Sequence, residues 1–513
     1  MKGDFTRDTF DPGKHFSRVL MQQGRAQLDT DWNEQTSIMS HLLRALAKDV
    51  FGPHWGPREG AGFEIIVDKA KFPADMTDAE KDRLLREEKF LIGPGHYYVD
   101  GILCENDDYA SYVNQPHLTL DPHNSQLERN TSYVVYLDVW ERHITYLEDD
   151  GDLNIREVAL GGPDTATRAK VVWQIKAVKF AEAPADATKS LNTLREQLRK
   201  ARRAKDVILI EELTEKIRFL ETEPRNPDDI VAELLTVSNA TLRARAIPAE
   251  TADDPCEIPP DARYRGVENQ LYRVEIHSGS FDENGALNQN RKPTFKWSRE
   301  NGSVVFPIID IGGDAQTTTV TLASLGRDAR FGLSINDFVE IVDDSYALEN
   351  RAENLLQVSA INFDDASVTL KGATSIKIQS DPSNHLLLRR WDHAATKGVT
   401  LGADNALLVG DGTVSDNEEI GWIMLERGLQ IQFQPNGVYR TGDYWLIPAR
   451  TVTGDVEWPK MRKMIAGKEQ MVSRPMTPRG VIHHYAPLAK IGLDGNGDIT
   501  ILEELRLRRG LAE

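Results

Sequence analysis

The stretch NLLQVSAINFDDASVTLKG, Asn354 to Gly372, alternates apolar and polar residues on either side of the acidic turn Asp364-Asp365. A period of two is the mark of a strand with one buried face. The same alternation recurs in TTTVTLASL (Thr317 to Leu325), DFVEIVDD (Asp337 to Asp344) and HLLLRRWD (His385 to Asp392), with Asp, Asn and Gly at the breaks. Short strands at this spacing predict a small all-β body over residues 313–390.

That body resembles an SH3-like or OB-like barrel inserted into a larger β domain. On its amino-terminal side, QLYRVEIHSG (Gln270 to Gly279) and TFKWSRENGSVVFPII (Thr294 to Ile309) read as strands, with the Asn301-Gly302 pair as a hairpin turn. On its carboxyl side, WIMLERGLQIQFQ, YRTGDYWLIPAR and HHYAPLAKIGLDG…DITIL complete the parent domain. Further upstream, FEIIVD, YYVDGIL, SYVVYLDVWERHITYL and AKVVWQIKAVKF are rich in β-branched and aromatic residues and predict another β-rich domain. KDRLLREEKF predicts a short helix behind a Thr77/Asp78 cap.

The expected class is mainly β within an α+β, multi-domain chain. Its parts are an N-terminal docking segment with a helix (1–55), a β-rich domain (56–184), a helical hairpin insertion (185–245), the first part of a second β-rich domain (246–312), the barrel (313–390) and the completion of the second domain (391–513). In the hairpin, Leu191, Leu194 and Leu198 form one apolar stripe, and Ile210, Leu213, Ile217 and Leu220 the other. Two such stripes bury each other or meet a neighbouring subunit.

The docking segment centres on VLMQQGRAQLDTDWNEQ, Val19 to Gln35. Gly24 marks a turn, Asp29-Thr30-Asp31 an acidic cap, and Glu34 follows Asp31 by three, which resembles a capping box. The helix beyond it carries Ile38, Leu42, Leu43, Leu46 and Val50 on an apolar stripe. Leu42, Leu46 and Val50 are expected to pack inward. Gln22, Arg25, Asp31, Trp32 and Glu34 are expected to make contacts outward, as are Leu191, Leu198, Leu213 and Ile217 of the hairpin.

Composition narrows the function. The chain has 513 residues, 40% hydrophobic and 27% charged, which suits a globular protein with several cores. A net charge of −19 argues against broad nucleic-acid binding. No run approaches a membrane span, and MKGDFTRDTF lacks the apolar core of a secretory signal, so assembly in the cytoplasm is expected. Only Cys104 and Cys256 are present, too few for a disulfide framework or a ligand-spaced pair.

Motifs for chemistry are weak. Phosphate loops, nucleophile elbows and the HExxH pattern are absent. His483 and His484 are adjacent on a strand and point to opposite faces, so they cannot readily share one ion. Asp494, Asn496 and Asp498 open like a calcium loop, but Ile499 and Leu505 stand where Gly and Glu belong, so a tight turn is expected. Gly442-Asp443 reads as a turn aiming a strand. Asp138, Glu141, Glu148, Asp149, Asp150 and Asp152 are paired carboxylates of the glycosidase type, and Trp140, Trp173, Trp297, Trp391, Trp422, Trp445 and Trp458 could line a sugar groove. No catalytic set, cofactor or metal is expected from them.

MKGDFTRDTFDP…VLMQQGRAQLDTDWNEQ is similar to the opening of a family of proteins encoded beside phage-tail-like contractile injection systems. Further blocks carry the resemblance: PGHYYVDGILCEN, DVWERHITYLED, REVALGGPDTATRAKVVWQIK, ENQLYRVEIH, TFKWSRENGSVV, GDYWLIPARTVTGDVEWP and HHYAPLA. It implies a non-enzymatic structural part at or beyond a baseplate, such as a fibre, collar or cage-like extension. Its partners would be other baseplate subunits and copies of itself, for example in a trimer, and the particle would be released extracellularly. A tailspike-like carbohydrate-binding or depolymerising protein is the alternative, and a sheath- or cap-end adaptor a second one.

Overall fold

The computed structural model describes residues 1–509 apart from 120–126, 149–154, 158, 160–164, 181–197, 200–226, 228–239, 248–262, 282–286, 289–290, 327, 329, 350, 375–384, 395–398, 411–420 and 466. The chain is mainly β and forms two compact units, each assembled from three separate segments.

The first unit takes residues 1–41, 141–170 and 237–482. A five-stranded antiparallel sheet runs in the order Leu407–Leu408, Thr294–Ser298, Gln270–Ser278, Tyr444–Arg450, Asp455–Val456. Val274 lies opposite Trp297 on one side and Trp445 on the other. Its apolar face packs against a three-stranded sheet, Leu242–Ala246, Leu429–Phe433 and Ile423–Glu426, around Tyr272, Ile276, Phe295, Ile431 and Phe433. Two faces of alternating apolar residues thus close one core between them.

The expected barrel is present and closed. Its order is Val305–Gly313, Thr317–Leu322, Ser367–Lys371, Leu356–Asn362, Phe338–Val342, Leu387–Trp391, and the last strand pairs back to the first. Val320, Val339, Ile341, Val358, Val368, Leu370 and Leu388 fill it. The alternation in Asn354 to Gly372 is therefore the alternation of a barrel wall. The turn at Asn301-Gly302 has both residues in the left-handed region, as a tight turn requires. It does not make the expected hairpin. Thr294–Ser298 stays in the sandwich sheet while Val305 enters the barrel and pairs with Arg389. The turn hands the chain from one body to the next.

The second unit takes residues 42–140, 171–236 and 483–513. Arg168–Phe180, Thr131–Ile144, His484–Leu493 and Ile499–Glu504 form one sheet. Arg508–Arg509, His54–Pro57, Gly95–Val99 and Ile102–Asn106 form another. Phe63, Phe90, Tyr97, Val135, Leu137, Trp173 and Ile491 share its core. YYVDGIL is a hairpin rather than one strand, because Asp100 and Gly101 both adopt positive φ. The Thr77 cap is a full capping box: Thr77 and Glu80 satisfy each other's backbone N–H at the start of α2, Asp78–Glu87.

Residues Leu191, Leu213 and Ile217, Cys256, Asp149, Asp150 and Asp152 lie outside the described residues. Leu198 is helical and half-buried. Among the described residues no helix is long and apolar enough to cross a membrane.

Candidate functional site

Strand Gln270–Ser278 explains where the chain keeps its buried charge. Alternate residues face opposite sides, so Tyr272, Val274 and Ile276 enter the sandwich core while Arg273, Glu275 and His277 face away from it. In the structure every residue of the strand is buried.

Lys296, directly across from Glu275, places its Nζ 2.6 and 2.8 Å from the two carboxylate oxygens of Glu340 on the barrel strand Phe338–Val342. Both side chains are essentially inaccessible, at 1% and 0%. Trp391 Nε1 donates to the same carboxylate at 2.9 Å, and the Tyr346 hydroxyl donates to it as well. The Lys296 ammonium also lies 4.5 Å from the centre of the Trp391 ring.

The chain's first residues complete this cluster. Lys2 Nζ is 3.0 Å from Glu275 Oε1, and Arg273 Nε donates to Glu275 Oε2 at 2.5 Å. Arg273 Nη1 donates to the Met1 carbonyl at 3.0 Å, Asn301 Nδ2 to the Gly3 carbonyl at 3.0 Å, and the Met1 amine to the Tyr444 hydroxyl at 2.8 Å. Burial alone would raise the Glu340 carboxyl, but Lys296, His277 and Lys2 outweigh it and hold it at about 2. Burial likewise works against Glu275, and Lys2, Arg273 and Lys296 more than reverse it. His277 is lowered to about 4, by burial first and then by the Lys296 charge. Its Nδ1 is buried without a hydrogen-bond partner.

This cluster anchors a strap, residues 1–10, and the strap grips a helix. Thr6 donates to Asp29 from its backbone N–H at 3.0 Å and its hydroxyl at 2.7 Å. Thr9 Oγ1 donates to Glu34 at 2.7 Å, and Gln35 Oε1 accepts from Val19 N–H at 2.8 Å. The helix is α1, Asp29–Phe51. Asp31 therefore sits inside the first turn, and Glu34 serves the strap rather than a capping box. Of the whole helix only Thr30 and Ile38 are buried.

The expectation that Leu42, Leu46 and Val50 pack inward is overturned. They are 48%, 62% and 57% exposed, and Leu43 is 63%. The helix is held instead by Ile38, by the ring contacts Phe10–His41 and Phe51–Trp55, and by polar contacts. The exposed residues Trp32, Thr36, Met39, Leu43, Leu46 and Val50 succeed one another at alternating steps of four and three. This is the a/d spacing of a helix that meets another helix. Trp32 is 77% exposed, Gln22 and Arg25 are exposed, and Asp31 and Glu34 are half-buried.

The other candidates have structural duties. His483 Nδ1 bonds Asp138 at 2.7 Å and His484 Nδ1 bonds Asp100 at 2.9 Å, so the two rings have separate partners. Asp138 is buried and also accepts from Lys176 at 2.7 Å. Asp494 Oδ1 accepts from the backbone of Asn496, Gly497 and Asp498, which closes the expected tight turn and occupies the carboxylate. Among the described residues no group of three His, Cys, Asp or Glu side chains is placed to hold a metal. Trp140, Trp173, Trp297, Trp391, Trp445 and Trp458 are buried, and Trp173, Trp297 and Trp391 belong to three separate cores; Trp422 is half-buried, with the Arg245 guanidinium 4.0 Å from its ring centre. Burial pushes the Cys104 thiol up, so it is a packing residue.

Sequence reasoning missed Arg273, Glu275, His277, Lys296 and Glu340. The signal was the charge alternating through LYRVEIH opposite the single Lys of FKW, but nothing local shows that remote chain covers that face.

A family described as "Family of unknown function (DUF6519)" matches residues 1–241 and 228–501. No curated protein matches the chain. Among solved structures, the crystal structure of TssK is similar at 9% identity and a TM-score of 0.17, over 74% of this chain and 96% of that one. At that score the likeness carries no argument.

Proposed function

The chain belongs to that family of unknown function. We propose that it is a non-enzymatic structural part of a contractile, phage-tail-like injection particle. Its place is at or beyond the baseplate, as a fibre, collar or cage-like extension, and its partners are other baseplate subunits and copies of itself. The similarity of the opening segment to proteins encoded beside such particles supports this reading, as do the further blocks along the chain. Assembly occurs in the cytoplasm and the protein leaves with the particle.

The observation that carries the reading is the exposed apolar seam of α1. A soluble chain leaves a contiguous apolar stripe open when a partner covers it. Here the stripe is presented on a helix held by the strap, and the strap is anchored in a buried ionic cluster. Such a part works through large complementary surfaces rather than tuned reacting groups. The test is incorporation: L43E/L46E should fold as the parent does yet be missing from purified particles. Normal incorporation of that variant contradicts the reading.

A further inference from the structure

A basic arm projects from the first unit. Lys460–Ile465 and Lys468–Ser473 form a two-stranded ribbon with Met461 opposite Val472 and Met464 opposite Glu469. Its base is anchored: Lys460 bonds Asp455 at 2.9 Å, Ser473 Oγ donates to the Ala244 carbonyl at 2.7 Å, and Arg474 N–H donates to Pro459 at 2.8 Å. Beyond the base both faces of the ribbon are largely exposed, with Met464 at 65% and Met471 at 60%. A lone two-stranded hairpin is marginal in water, and methionines adapt to a partner's contours. Lys460, Arg462, Lys463 and Lys468 outnumber Glu469 within it; Arg462 lies 3.8 Å from Glu469 and Lys460 pairs with Asp455 at the base.

The same unit carries a matching patch. Asp310, Thr321, Ser367 and Asn362 lie in one row across four neighbouring barrel strands. Strand spacing makes that row about 14 Å wide. Along this rim Ile309 and Phe363 are 63% and 77% exposed, and Asp310, Asp364 and Asp365 are exposed beside them. Acidic residues with one exposed apolar side chain at each end of the row complement methionines with basic neighbours in polarity and sign.

We propose that the Lys460–Ser473 arm of one copy docks on the Ile309/Phe363 rim of a second copy. Charge selects this occupant. Two arms facing each other repel, whereas the remainder of a chain of net charge −19 is acidic and bears this apolar patch. The same net charge opposes nucleic acid as the arm's partner. Arm and rim are different surfaces, so the contact closes reciprocally into a two-fold pair or continues head to tail as a ring or filament. It uses surfaces other than the α1 seam and does not depend on the particle reading.

Sedimentation velocity of the full chain over a concentration series, at low and high salt, tests the proposal. Wild type should self-associate and do so less at high salt. R462E/K468E and D310K/D364K should each weaken association by roughly tenfold or more. Mixing the two variants should restore it, because each then offers the surface that the other needs. The uncharged variant M464S/M471S should also weaken it. Monomers at all concentrations, association unchanged in either charge variant, or no recovery on mixing overturns the proposal. So does association that L43E/L46E abolishes, which would transfer the contact to α1.

Discussion

Lys296 and Glu340 set the cost of opening the first unit. Neither side chain reaches water, and Glu340 holds Lys296, Tyr346 and Trp391 together. Removing one partner leaves a buried charge uncompensated, so Lys296→Met should lose about 3–5 kcal/mol in urea unfolding. K296M/E340Q should lose less than the single K296M variant, because the stranded carboxylate is gone. Acid should act here first. His277 and His393 are held at about 4 and His143 at about 3, each chiefly by burial, so the unfolded chain binds more protons than the folded one below an ordinary histidine pKa. Their stabilisation is complete above about pH 6.5 and falls as pH drops toward 4. Glu340, held at about 2, adds a loss that begins near pH 4.5 and runs down to its folded value. Unfolding free energy measured from pH 7 to 4 should therefore fall, and His277→Gln should flatten the slope by up to about 1.4 kcal/mol per pH unit. None of this was legible in LYRVEIH itself. A strand shows which residues share a face, not what chain returns to cover it.

At the scale of elements, α1 and α2 are opposites. Helix α2 has its cap, its box and its one buried leucine, Leu84; the helix and its Thr77 cap were read in the sequence, while the box with Glu80 and the burial of Leu84 were not. Thr77→Ala should cost about 1 kcal/mol, seen as faster amide exchange over Asp78–Glu87. In α1 the apolar spacing was equally readable but its direction was not, because periodicity locates a stripe without saying what lies against it. Glu34, expected to cap, is used by Thr9, and Ile38 is the apolar anchor. L43E/L46E should consequently change unfolding free energy by no more than about 0.5 kcal/mol, while Ile38→Ala should loosen the helix and raise exchange along Asp29–Phe51. In the free chain Trp32, 77% exposed, should account for much of the acrylamide-quenchable tryptophan fluorescence, which W32F would remove.

The whole molecule is a β-rich frame of two units, each drawn from three segments of the chain. Its class and its barrel were legible because period-two alternation is a property of each strand alone. The interleaving of segments was not, since strand partners such as Leu242–Ala246 and Leu429–Phe433 are separated by most of a unit. The proposed function rests on what the frame presents: a strapped helix with an open seam, and tryptophans such as Trp173, Trp297 and Trp391 buried in cores. Soluble oligosaccharides should accordingly leave the buried tryptophans' emission unchanged. The most direct test of the central claim is cryo-EM of the assembled particle at side-chain resolution. The account predicts Trp32, Leu43 and Leu46 in van der Waals contact with a neighbouring chain while Ile38 keeps its internal packing. Those three side chains facing bulk solvent in the assembled particle would contradict it.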